Sequence, residues 1–416
     1  MKNKYLLPFI LLTSLFFLWG FALNLNPILI PHLKKACQLT DFQSALIDSA
    51  SYIAYFLVAL PAGLFMKKYG YKYGITLGLL LFAVGTFLFY PAAELRNYAF
   101  FLVALFVIAS GLTFLETAAN PYITVLGDAD SATQRLNFAQ SFNGLAAFLA
   151  PLAGGLFILS GKTLTAQEEQ SMSTDQLNAY LNHEASSVQT PFLLIGVVVL
   201  LVAILIWRTA LPEIKEETDE TSSSSDSIWG EKNLILGVIA QFFYVGAQVC
   251  VSSFFIRFSD KVAGIEERSA AFFLSGALLG FMIGRFVGTY LMRFVAPSRL
   301  LAIYSVINFA LLIIAIMTNG MVSIYALIGV EFFMSIMFPT IFALSIRGLG
   351  EKTKIGSSLV IMAIVGGAIF PVIMGRISDV TNIQTSYIVP ALCFTVVLYF
   401  ALKNAKVKHI KLGSSH

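Results

Sequence analysis

Phe114-Leu-Glu-Thr-Ala-Ala-Asn-Pro-Tyr-Ile-Thr-Val-Leu-Gly127 closes an apolar run that begins near Tyr98. The run is long enough to cross a bilayer, which takes about 20 residues, and it carries a carboxylate, Glu116. An acid at that depth is costly unless it faces a water-filled cavity or a partner. Asn120 follows on the same helical face. Pro121 then removes a backbone donor and frees a carbonyl one turn back. Acid, amide and helix breaker together describe a solvated interior face; the alternative is an acid tied to a neighbouring helix for packing.

Composition agrees with a membrane solvent. Hydrophobic residues make up 57% of the 416 and charged residues 12%, against about 25% charged in soluble domains. The segments are apolar on all sides rather than striped, so the fold class is an all-α membrane protein. The net charge of +4 comes without a basic patch interleaved with aromatics, and nucleic acid is not indicated. Cys37, Cys250 and Cys393 stand at no metal spacing, so neither a disulfide framework nor a metal or cofactor site is expected. Lys2 and Lys4 precede an apolar stretch that resembles a secretory signal, but it lacks a small-x-small cleavage site and runs on to about Pro31, which reads as a first spanning helix.

Runs of about 20 apolar residues predict twelve transmembrane helices near 6–31, 43–66, 74–92, 98–126, 137–160, 190–210, 232–258, 267–294, 298–318, 321–347, 354–379 and 385–403. Pro212 to Glu231 has no apolar period and is rich in serine and acids, as a flexible linker is. The chain therefore divides into a six-helix half over 1–210, a linker over 211–231, a second six-helix half over 232–403 and a tail over 404–416. With the N-terminus inside, eighteen of the 27 lysines and arginines fall on the inner side and eight on the outer, with Arg285 inside a helix. Both termini and the linker are expected in the cytoplasm, with the chain in the plasma (inner) membrane.

Gly144-Leu-Ala-Ala-Phe-Leu-Ala-Pro-Leu-Ala-Gly-Gly155 resembles Ile364-Val-Gly-Gly-Ala-Ile-Phe-Pro-Val-Ile-Met-Gly375, with Pro151 matching Pro371 and Gly155 matching Gly375. A parallel repeat of this kind, with a central linker, points to two halves around a midplane site. The basic junction Gly63-Leu-Phe-Met-Lys-Lys-Tyr-Gly-Tyr-Lys72 adds a resemblance to the major facilitator superfamily, although Lys67 stands where an aspartate is common. Phe16-Phe-Leu-Trp-Gly20, Leu115-Glu-Thr-Ala-Ala-Asn-Pro121, Arg135-Leu-Asn-Phe-Ala-Gln-Ser-Phe-Asn143, Gln241-Phe-Phe-Tyr-Val-Gly246, Phe338-Pro-Thr-Ile-Phe342 and Thr353-Lys-Ile-Gly-Ser-Ser358 are similar to the fucose–proton symporter family. That resemblance implies the major facilitator fold and import of fucose, glucose, galactose or a related hexose by cation symport. A major facilitator exporter working by proton antiport is the alternative.

One departure from the family pattern matters. Its first helix typically carries an Asn-Asp pair whose acid is associated with proton coupling, and this chain reads Asn26-Pro27. Asp48 on the second helix stands where family members commonly have glutamine. Both positions lie about four to six residues below the outer surface, roughly 6–9 Å at 1.5 Å per residue. The acid is expected to have moved to the neighbouring helix; the alternative pairs Asp48 with Lys34 or Lys35. Asp48 and Glu116 are thus the expected coupling acids, for a proton or sodium.

The remaining polar residues fall on shared faces. Asp48, Ser51, Tyr52 and Tyr55 keep helical spacing, as do Phe16, Gly20, Asn24 and Pro27. Gln140 and Asn143 pair on the fifth helix, and Gln241, Tyr244 and Gln248 on the seventh. Amides and hydroxyls facing a cavity suit a neutral sugar, with Trp19 or Tyr244 available for stacking. The expected sugar-binding set is Asn24, Glu116, Asn120, Gln140, Asn143, Gln241, Tyr244 and Gln248. Arg285 is expected to bond backbone carbonyls or another helix, and Glu331 reads as structural rather than coupling. All four histidines lie at helix ends, in loops or in the tail, without a metalloprotease pattern, and no nucleotide-binding loop is present. An enzyme or a primary pump is therefore not indicated, and a single chain in a lipid bilayer supplies the whole transport path.

Overall fold

The structure is a computed structural model and describes residues 6–39, 41–158, 171–209, 211, 228–265 and 267–405. It is helical, with no strand among the described residues. The first helices are α1 Leu6–Leu23, α2 Asn26–Ala36, α3 Asp41–Tyr69, α4 Tyr71–Glu94, α5 Tyr98–Val125, α6 Ala132–Phe157, α7 Thr174–Ser186 and α8 Gln189–Arg208. The rest are α9 Lys232–Ala263, α10 Glu267–Leu291, α11 Pro297–Met317, α12 Met321–Met334, α13 Met337–Ile346, α14 Thr353–Met362, α15 Gly366–Val380, α16 Ile383–Ser386 and α17 Ile388–Ala405. Among the described residues, ten helical segments are long and apolar enough to span a bilayer, and Leu7–Leu23 is a shorter apolar one.

Four expected spans are interrupted, each beside a proline or a glycine pair, the twelfth at Tyr387, where Pro390 cannot serve the Ser386 carbonyl. The first stops at Leu23, whose carbonyl would have bonded the N–H that Pro27 lacks. It restarts at Asn26 and runs to Ala36 rather than ending near Pro31. The tenth breaks after Met334 because Pro339 cannot serve the carbonyl of Ser335. The eleventh passes through a 3-10 turn, Ala363–Val365, before Gly366-Gly367. A helix absent from the sequence reading, α7, lies between the fifth and sixth spans. Its start carries a capping box in which Ser173 and Gln176 satisfy each other's backbone N–H groups. The serine-rich linker, apart from Leu211 and Ile228 to Glu231, lies outside the described residues, as does the tail beyond Ala405.

The described chain forms two compact units. One takes in Met1–Ala129, Ala139–Ser222 and Leu349–Val365; the other Asp130–Phe138, Ser223–Gly348 and Gly366–His416. In the first, α5 is the central helix, buried without a gap from Ile108 to Thr124. Its close approach to α4 rests on two glycines, since a Cβ at Gly78 would lie 2.9 Å from the carbonyl oxygen of Gly111. Phe89 of α4 stacks on Phe192 of α8 at 3.8 Å between ring centroids. The same unit holds α14 against α3, where a Cβ at Gly63 would overlap the Ser358 hydroxyl. Lys354 places its ammonium 5.0 Å from the centre of the Tyr71 ring.

In the second unit α9 is central and packs against α10, α12, α13, α15 and α17. Gly366 meets the Phe242 backbone, and Gly246 receives the Phe370 ring. The first turns of α6 belong to this unit, where Asn137 Nδ2 donates to Thr340 Oγ1 at 3.2 Å.

Candidate functional site

In the first unit the acid of the opening stretch is buried, with Glu116 6% exposed. Tyr55, one helix away on α3, donates its hydroxyl to Glu116 Oε1 at 2.7 Å. No lysine, arginine or histidine among the described residues forms an ion pair with it. One turn on, Asn120 Oδ1 accepts from Gln140 Nε2 of α6 at 3.1 Å. Asn120 Nδ2 and Thr117 Oγ1 are buried and have no partner among the described residues. The carbonyl of Thr117 is also the one that Pro121 leaves without its helical donor. Buried polar groups are nearly always satisfied, so the unpartnered amide and hydroxyl mark this cluster as a candidate polar site.

Beside it, α1 and α6 meet at a glycine. A Cβ on Gly20 would stand 2.7 Å from Asn143 Nδ2, and Asn24 Nδ2 donates back to the Gly20 carbonyl at 2.7 Å. Asn24 itself sits in the interruption between α1 and α2. A small cleft opens at this interruption, walled by Leu25, Phe82, Leu105, Ile108 and Phe192, with Asn26, Ser51 and Thr86 as its polar edge. Asp48 belongs to α3 by its backbone, one turn before Ser51, but its side chain lies outside the described residues. Because α2 runs to Ala36 and α3 starts at Asp41, Pro27 and Asp48 are nine and seven residues from those ends. At 1.5 Å per residue both are roughly 10–14 Å along their helices from those ends.

The second unit holds a separate cluster. Gln241 is fully buried with neither amide atom partnered among the described residues. Tyr244 is also fully buried, and its hydroxyl donates to the Met334 carbonyl at 2.9 Å. Arg285 donates through Nε to the Ser335 carbonyl at 2.9 Å, replacing the donor that Pro339 cannot supply. Gln248 is half-buried. Trp19 is 1% exposed, so stacking on it or on Tyr244 requires their packing to move. Sequence reasoning missed Ser252, whose hydroxyl donates to Glu331 Oε1 at 2.7 Å, and the part played by Tyr55 as partner of Glu116. The spacing of Tyr55 from Asp48 was the available signal.

A model of the Major Facilitator Superfamily matches residues 10–363. The chain belongs to this superfamily. It is 46% identical over 409 residues to the L-fucose-proton symporter of Escherichia coli (strain K12), covering 96% of this chain and 93% of that one. It is 42% identical over 398 residues to the glucose/galactose transporter of Brucella abortus biovar 1 (strain 9-941), covering 95% and 93%. The crystal structure of the superfamily transporter FucP in the outward conformation superposes with a TM-score of 0.89 at 45% identity, over 97% of this chain and 99% of that one. The superfamily fold explains why the motifs meet in pairs. Asn137 of the Arg135–Asn143 block bonds Thr340 of the Phe338–Phe342 block. Ser358 of the Thr353–Ser358 block seats on Gly63 of the basic junction.

Proposed function

We propose that this protein is a secondary transporter that carries fucose, glucose, galactose or a related hexose into the cell with protons, by alternating access. The observation that carries the reading is the Glu116 cluster. A carboxylate without a counter-cation adjoins an amide and a hydroxyl that await partners, which couples a proton site to a polyol site. The names of the relatives supply the substrate class. In this reading Asn24, Glu116, Asn120, Gln140, Asn143, Gln241, Tyr244 and Gln248 contribute to sugar binding. Asp48 takes the proton first, in place of the acid absent at Pro27. The chain acts as a monomer of two six-helix halves in the inner membrane, with cytoplasmic termini and no enzymatic step.

Purified protein in proteoliposomes tests this directly. A panel of sugars in counterflow identifies the substrate without any driving ion. Asp48→Asn is expected to keep counterflow, which carries no net proton flux, while losing accumulation driven by an inward proton gradient. Glu116→Gln is expected to damage both. Accumulation by Asp48→Asn equal to the parent rejects the relocated acid. Accumulation driven by a sodium gradient alone, or expulsion rather than uptake, rejects proton symport and import respectively.

A further inference from the structure

Glu331 is 1% exposed, on α12, one turn before the interruption of the tenth span. Its partner is a neutral hydroxyl, Ser252 Oγ of α9 at 2.7 Å, and among the described residues no cation pairs with it. The nearby guanidinium is engaged elsewhere. Arg285 bonds the Ser335 carbonyl and lies 4.7 Å from the centre of the Phe281 ring.

The arrangement repeats that of the first unit. Glu116 and Glu331 lie on the fourth predicted span of their respective halves, and each accepts one hydroxyl from a neighbouring helix. Each also stands about one turn before a break in backbone hydrogen bonding, at Pro121 and at Ser335-Ile336. At the second break the Ser335 hydroxyl is buried and without a partner among the described residues. It faces the close approach of Gly284, whose Cβ would lie 2.7 Å from it. Tyr244 and Tyr387 are within electrostatic reach of Glu331, Arg285 acts on Tyr244, and Cys250 and Arg257 act on Tyr387.

A packing role would be met by a glutamine, which keeps the hydrogen bond to Ser252 without the cost of an acid in lipid. A discontinuous helix is where membrane transporters hold coupling ions, because its unserved backbone groups adapt as the halves move. We propose that Glu331, held by Ser252 beside the broken tenth span, binds a second proton besides the one handled by Asp48 and Glu116, so that two protons accompany each sugar. The step is a simple protonation: the carboxylate gains one proton from the outer aqueous phase and releases it to the inner one. It presupposes the proton–sugar symport proposed above.

The test uses the full chain in proteoliposomes with the membrane potential clamped at zero. The steady-state accumulation of whichever hexose of a fucose, glucose and galactose panel is transported is read against an imposed pH difference. Two coupled protons give a hundredfold change in accumulation ratio per pH unit, and one proton gives tenfold. The parent is expected at hundredfold and Glu331→Gln at tenfold, with Glu331→Asp restoring the steeper dependence. A tenfold dependence in the parent, or a hundredfold dependence that survives in Glu331→Gln, overturns the proposal. Should Glu331→Gln fail to assemble, Ser252→Ala keeps the acid and removes its donor. The pH midpoint of the second proton must then move, and an unmoved midpoint overturns the assignment equally. Absence of any proton-driven accumulation in the parent rejects symport itself, a different outcome from a tenfold dependence.

Discussion

Gln140 holds Asn120 in place from the next helix, and neither residue touches water freely. Gln140→Ala leaves the Asn120 carbonyl without the one donor it has in common with α6. The expected loss in sugar affinity is about 1–3 kcal/mol, roughly five- to 150-fold in Kd. Isothermal titration of the transported sugar reads it, and unchanged affinity in both Gln140→Ala and Asn143→Ala removes α6 from the site. A second residue-scale prediction concerns His32, on α2 and 2% exposed. Its Nε2 meets the Ser187 hydroxyl at 3.2 Å and its Nδ1 lies 3.7 Å from Glu184, which also pairs with Lys35 at 3.0 Å. His32→Phe removes the Ser187 contact and leaves the Glu184–Lys35 pair in place, so thermal unfolding in detergent should show a lower midpoint than the parent, a loss of about 1–3 kcal/mol for a buried hydrogen bond. An unchanged midpoint would mean that the histidine contributes nothing to stability there.

Helices approach one another here through glycines, and each such crossing is intolerant of volume. At Gly63 on α3 the Ser358 hydroxyl occupies the space of a side chain, with the Lys354 carbonyl 2.9 Å from the ideal Cβ. Gly63→Leu must push α14 off α3. Overpacking typically costs about 1–3 kcal/mol, and a backbone oxygen so close leaves little room to adapt. The variant is expected to insert but to unfold at lower temperature and to lose most sugar uptake, measured side by side in one membrane preparation. Parent-like stability and uptake would mean the two helices separate at no cost. The breaks at Asn24-Leu25 and Ser335-Ile336 belong to the same scale, because they expose backbone groups beside the side chains proposed to bind sugar and protons.

At the level of the whole molecule, the linker expected over 211–231 is rich in serine and acids from Pro212 to Asp226. Deleting Ser222 to Ser225 should leave counterflow and gradient-driven uptake at parental rates, since loop-closure entropy changes little when a few residues leave a connection of this length. Lost uptake with normal membrane insertion would reveal a gating role for the segment. The two compact units each hold a buried acid, and on the proposed reading both must change protonation within one transport cycle.

Composition and run length alone determined that this chain is a helical bundle in lipid, and they located both buried acids, because a bilayer leaves no other solution for such segments. Pro121 marked where a backbone bond must fail, whereas the breaks at Pro27 and Pro339 fell inside spans expected to be continuous. The suppliers of the missing partners were not legible. Tyr55 reaches Glu116 across 61 residues of sequence, and Arg285 reaches the Ser335 carbonyl across 50. Nothing in the local pattern distinguishes Ser252 from the other small residues of α9. Likewise the end of the first span was misjudged at Pro31, since the helix resumes after its break. Lipid offers no water to the groups a proline or an acid leaves unserved, so sequence declares the demand. Only the packing of helices distant in the chain decides which side chain answers it.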